Sequence, residues 1–221
     1  MNYNYLVIEG CIGAGKTCFS KRLADDYNAK IIYEQFADNS FLPKFYEDPQ
    51  RYAFPLEMSF LTDRYNQLKN KLTQTDLFSQ YTIADYFIDK CLIFSKNNLN
   101  KDEYSLYLKI FDIINSFIPK PDLIVYLYKD VDLLLKNIKK RGRDYEQNID
   151  YKYLDDIQKG YLDYFKLLSN IPIVIIDTNK LDFVSFEEDY QYLKTVINKK
   201  YENGIHFLAE SDPMLFQEKS E

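Results

Sequence analysis

VIEGCIGAGKTCFSKRLADDYNAKIIYEQF, from Val7 to Phe36, passes within ten residues from an apolar run into glycines and a lysine. Gly10-Cys11-Ile12-Gly13-Ala14-Gly15-Lys16-Thr17 is a complete G-x-x-x-x-G-K-T. It follows a strand-like run and opens a segment with Phe19, Leu23, Ala24 and Tyr27 on one helical face, which is the setting a phosphate-binding loop requires. Glycines let backbone N–H groups close around phosphate oxygens, and the helix N-terminus adds partial positive charge. Lys16 can then reach the β- and γ-phosphates and Thr17 can hold Mg²⁺.

Short apolar runs rich in Ile, Val and Tyr recur at Tyr5 to Glu9, Lys30 to Glu34, Tyr81 to Asp85, Asp122 to Leu127 and Pro172 to Asp177. Helix-period segments separate them, at about 49–72, 101–117, 131–140, 151–168 and 186–199. Alternating strands and helices predict an α/β fold with a five-stranded, mainly parallel sheet and helices on both faces. PDLIVYL and IPIVIID are almost wholly apolar, as strands covered on both faces should be. No repeat, Gly/Ser linker or boundary interrupts the chain, so residues 1–200 read as one domain. Residues 201–221 read as a polar tail whose Ile205, Phe207, Leu208, Leu215 and Phe216 could dock on the domain or on a partner subunit.

A chain of 221 residues with 46% hydrophobic content, 21 Tyr and 16 Phe can build a core without staples. Its formal charge of −6 and the absence of any basic block beyond Lys139, Lys140, Arg141 and Arg143 argue against a nucleic-acid partner. No apolar stretch approaches the length of a membrane span, and the N-terminus carries no basic leader, so a cytosolic location is expected. Cys11, Cys18 and Cys91 have neither metal-ligand spacing nor more than one histidine, His206, to help them; they read as buried free thiols.

A phosphate loop does not by itself separate kinases from switches or motors. Asn179-Lys180-Leu181-Asp182 spells the N-K-x-D of a guanine reader, but no glycine has an aspartate three positions before it, as a GTPase switch needs. No apolar run ends in the Asp-Glu pair of a motor ATPase. A small-molecule kinase remains, and it requires a basic lid. KNIKKRGRDYEQ provides one, with Arg141 and Arg143 flanking Gly142 just past a helix. Glu34, at the end of the second strand, should emerge at the sheet edge where the phosphate loop lies. A carboxylate there suits an alcohol acceptor that must be oriented and deprotonated late in a loose transition state.

These motifs together resemble the deoxyribonucleoside kinases of the deoxycytidine/deoxyguanosine/deoxyadenosine type, over roughly residues 3–200. The resemblance implies a P-loop kinase fold with a short lid, ATP and Mg²⁺ as cofactors, and a homodimer. It makes Glu34 the general base for the sugar 5′-OH. Along FYEDPQRYAFPLEMSFLTDR it implies that Tyr46 contacts the 3′-OH, that Glu57 stands where a glutamine usually faces the base, and that Arg64 contacts the base, with Asp85 as the arginine's partner. It places Arg141 and Arg143 on phosphates, Glu146 on the 3′-OH, and Leu181-Asp182-Phe183 around the donor adenine. The chain departs from the family where Glu-Arg-Ser is common before the third strand ends: here Phe78-Ser79-Gln80-Tyr81-Thr82 stands.

The expected reaction is phosphorylation of a purine deoxyribonucleoside, with deoxyadenosine narrowly ahead of deoxyguanosine. The nearest enzymatic rival is a thymidylate-type monophosphate kinase, and the rival of another class is a non-catalytic or GTPase-like nucleotide-binding switch.

Overall fold

The first strand, β1 (Tyr5–Glu9), is buried at every residue, which requires cover on both of its faces and strands on both of its edges. In the computed structural model, which describes residues 1–35, 39–73 and 79–208, β1 lies between β3 (Thr82–Ala84) and β4 (Leu123–Tyr128). The sheet continues outward to β2 (Lys30–Ile32) on one side, and to β5 (Pro172–Asp177) and β6 (Gly204–Leu208) on the other. The order is β2-β3-β1-β4-β5-β6 and every pairing is parallel. Carboxyl ends of all the strands therefore meet at one edge, where ligands bind in open α/β sheets.

The α/β class is as expected, but the described sheet has six strands rather than five. β6 arises within the stretch read as the start of a tail, pairing Gly204 with Pro172 and Leu208 with Ile176. Its residues are half-buried or, at Phe207, exposed, and it sits among polar neighbours, so its apolar signal is weak. Non-local hydrogen bonds to β5 make it a strand. Leu215 and Phe216 lie outside the described residues.

Among the described residues eight α-helices connect and cover the strands: α1 (Lys16–Tyr27), α2 (Leu42–Glu47), α3 (Pro49–Thr73), α4 (Lys90–Asn98), α5 (Lys101–Asn115), α6 (Val131–Arg141), α7 (Tyr151–Phe165) and α8 (Glu187–Ile197). Neither α2 nor α4 was legible as a helix. α2 spans only six residues, too few for a period to register. α4 packs against α3, α5 and α7 and so has no long polar face to create an amphipathic pattern. Among the described residues no helix is long and apolar enough to cross a membrane. Cys11 and Cys91 are buried as expected, whereas Cys18 is exposed on α1.

Candidate active site

The turn between β1 and α1 is closed by Ala14 N donating to Cys11 O at 3.1 Å. Gly13 and Gly15 adopt φ of 86° and 92°, a region that side chains rarely enter. A Cβ on Gly15 would lie 2.9 Å from Phe183 Cζ, so the glycine is also needed for the close approach of that ring. Lys16 Nζ folds back on the loop, donating to Gly10 O at 2.8 Å and to Cys11 O at 3.1 Å. Thr17 Oγ1 donates to Asp85 Oδ2 at 2.7 Å.

Glu34 follows β2 by two residues, its backbone held by Glu34 N donating to Asp85 Oδ1 at 2.6 Å. Its carboxylate is a meeting point for cations from two helices. Arg64 of α3 donates to Oε1 through Nε at 3.0 Å and Nη2 at 2.5 Å, and Lys90 of α4 donates to Oε2 at 2.7 Å. Burial alone would raise the Glu34 carboxyl; Lys90, Arg64 and Lys16 overwhelm that effect and hold it far below the usual carboxylate range. A carboxylate so stabilised is a weak base in the resting enzyme, which suits proton acceptance late along a loose transition state.

The resemblance pairs Arg64 with Asp85, but the structure does not. Asp85 is occupied by Thr17 and the Glu34 amide, while Arg64 is spent on Glu34 and on Cys91 Sγ at 3.1 Å, with its guanidinium 4.6 Å from the Phe60 ring centre. The backbone path decides this: β3 delivers Asp85 beside the phosphate loop, and α3 passes over the end of β2.

Glu57 and Arg64 lie seven residues apart on α3, nearly two full turns, and so share one face. That face is buried and not solvated: Glu57 is 1% exposed and Arg64 4%. Glu57 Oε1 accepts from Asn98 Nδ2 at 2.7 Å, and among the described residues its Oε2 has no hydrogen-bond partner. Burial pushes the Glu57 carboxyl up to about 7, against the opposing pull of Arg64, Asn98 and Lys90.

Past α6, Gly142 takes a left-handed conformation (φ 73°), reversing the chain into a short 3-10 turn, Asp144–Glu146. Buried Glu146 gathers both lid guanidiniums, accepting from Arg141 Nη2 and from Arg143 Nη1, the latter at 3.2 Å. Tyr46 of α2 stacks on Tyr145 with 6.2 Å between ring centres. One pocket at the carboxyl edge thus brings together Lys16, Thr17, Glu34, Tyr46, Glu57, Arg64, Asp85, Arg141, Arg143 and Glu146. Asp182 and Phe183 stand outside it. Phe183 packs on Gly15 and edge-on against Phe19, on the far side of the phosphate loop.

Sequence reading missed three polar residues here. Lys90 and Asn98 line the pocket from α4. Buried Glu9, at the end of β1, accepts from Phe87 N at 2.7 Å and from Tyr161 OH at 2.9 Å, tying the phosphate loop to α7 and to the segment after β3. A signal for Lys90 existed: it is the only basic residue between Lys71 and Lys96, set in the apolar run YFIDKCLIF.

A sequence family described as deoxynucleoside kinase matches residues 6–202. The chain belongs to the deoxynucleoside kinase family. It is 34% identical over 191 residues to deoxyguanosine kinase of Bacillus subtilis (strain 168), covering 85% of this chain and 92% of that one. It is 30% identical over 218 residues to deoxyadenosine kinase of Dictyostelium discoideum, covering 96% and 84%. Among solved structures, deoxyadenosine kinase from M. mycoides with products dCMP and a flexible dCDP bound superposes with a TM-score of 0.75 at 25% identity, over 87% of this chain and 98% of that one.

This deoxynucleoside kinase is therefore a phosphotransferase, and its N-K-x-D segment has a structural use. Asn179 Oδ1 accepts from Asp130 N at 2.8 Å, and Asp182 Oδ1 accepts from Ser185 N at 3.1 Å. Asn179 ties the loop after β5 to the one before α6, and Asp182 closes a turn within its own loop.

Proposed function

We propose that the enzyme transfers the γ-phosphate of ATP to the 5′-OH of a purine deoxyribonucleoside, serving nucleotide salvage in the cytosol. Glu34 orients the hydroxyl and takes its proton, while Lys16, Arg141 and Arg143 stabilise charge on the transferring phosphoryl group. Tyr46 and Glu146 hold the sugar 3′-OH, and Asp182 with Phe183 flanks the donor adenine. A hydroxyl and a carboxylate side by side, Thr17 and Asp85, are hard oxygen ligands of the kind Mg²⁺ takes beside substrate phosphates. These two residues would hold the ion, whose part is to neutralise phosphate charge.

The base assignment is carried by Glu57, whose buried Oε2 has no partner among the described residues and whose side chain lines the pocket. When ionised, it accepts from guanine N1–H and N2–H₂. When neutral, it offers one donor and one acceptor, matching adenine as a glutamine would. Thymine presents two carbonyls to the ionised form and is disfavoured. Relatives named deoxyguanosine kinase and deoxyadenosine kinase support the purine reading. We place deoxyadenosine and deoxyguanosine close together, with deoxyadenosine ahead when Glu57 is protonated. A homodimer is supported by Leu106, Ile113 and Phe117, large apolar side chains exposed along and just beyond α5.

The deciding experiment measures kcat/KM with ATP and Mg²⁺ for the four deoxynucleosides and their monophosphates. Both purine nucleosides should lead. Deoxycytidine or thymidine above both would overturn the purine assignment, and turnover with monophosphates alone would overturn the alcohol acceptor.

A further inference from the structure

We propose that Lys90 is the positioning cation of this active site, holding the Glu34 carboxylate against the acceptor hydroxyl. Lys90 is the first residue of α4, directly after the loop from β3, and reaches the same pocket from the helix side. Its side chain is 6% exposed and Glu34's 9%, with 2.7 Å between Nζ and Oε2.

Burying an ammonium is costly unless a partner compensates it. Burial works to lower the Lys90 ammonium, but Glu34 and Glu9 outweigh it, so the group stays charged well into the alkaline range. Arg64 alone would leave Glu34 free to rotate about its contact at Oε1. The second cation, on Oε2, fixes the carboxylate plane. An ammonium also has three N–H donors, and Lys90 lines the pocket in which the hydroxyl must sit. The site thus carries two cations on the base from two helices, and loss of either should change its orientation.

The proposal rests on the reading of Glu34 as the base, and a double-mutant cycle separates the two. Glu34→Gln, Lys90→Met, Lys90→Arg and the Glu34→Gln/Lys90→Met pair are assayed under saturating ATP, with folding checked by thermal melting. Glu34→Gln is expected to lower kcat about 100-fold. Lys90→Met should lower kcat about 10-fold or more with nucleoside KM changed less than about 3-fold. Lys90→Arg should restore most of kcat, and Lys90→Met should add little in the Glu34→Gln background.

Unchanged kcat in Glu34→Gln would overturn the base itself. Loss of activity in Glu34→Gln beside a folded Lys90→Met of wild-type kcat would overturn Lys90 alone. If Lys90→Met does not fold, failure of Lys90→Arg to retain most of the wild-type kcat overturns the proposal. So do losses that simply multiply in the double variant.

Discussion

Protonation of Glu57 should set which purine the enzyme prefers, and the effect falls within an ordinary assay range. Its carboxyl is pushed by burial from 4.5 to about 7, with Arg64, Asn98 and Lys90 as the facing groups that oppose the rise. Between pH 6 and pH 8 the ionised fraction then climbs from about one-tenth to about nine-tenths, roughly a tenfold change. If the ionised form takes guanine and the neutral form adenine, the deoxyguanosine-to-deoxyadenosine ratio of kcat/KM should rise by up to about 10-fold per form, and Glu57→Gln should flatten it. Stability follows the same proton. The folded state holds it more tightly than the unfolded chain, so the contribution is complete below pH 4.5 and is lost as pH rises to about 7. That gap is worth roughly 3 kcal/mol, which the Gln variant should not lose. Measuring both nucleosides at pH 6, 7 and 8, with denaturant melts of wild type and variant alongside, tests each consequence. A ratio independent of pH in the wild type, or an equal slope in Glu57→Gln, would refute the assignment of Glu57 to the base edge.

Arg64→Ala should lower kcat about 10-fold or more as well as raise nucleoside KM, because the guanidinium holds Glu34 and lines the pocket. A rise in KM alone would confine Arg64 to base contact. Arg141→Ala should cut kcat about 100-fold through lost charge stabilisation, whereas wild-type kinetics would reduce the lid arginine to a partner of Glu146. Gly15→Ala combines a left-handed φ with a Cβ 2.9 Å from Phe183 Cζ, and should cost about 1–3 kcal/mol in thermal melts and raise KM for ATP. Unchanged melting and KM together would show that Phe183 yields freely.

Local pattern alone determined a good part of this protein. Tyr5–Glu9 and Pro172–Asp177 were legible to the residue because central parallel strands are apolar throughout, and Gly10 to Thr17 because close phosphate approach admits few residue types. Glu34, Arg141 and Arg143 followed from their distances past a strand or helix end. Other features depended on contacts between segments far apart in sequence. β6 is a strand only because β5 offers it an edge, and α4 has neighbours around it that erase its periodicity. The partner of Arg64 could not be read from spacing: Asp85 and Glu34 both lie at strand ends, and only the crossing of α3 over β2 selects Glu34. Lys90, 56 residues from Glu34 along the chain, becomes its ion-pair partner because β2 and β3 run parallel and end together, so the loops that leave them converge. Electrostatic pairing at a buried site depends on distances of a few ångströms, and those distances belong to the fold.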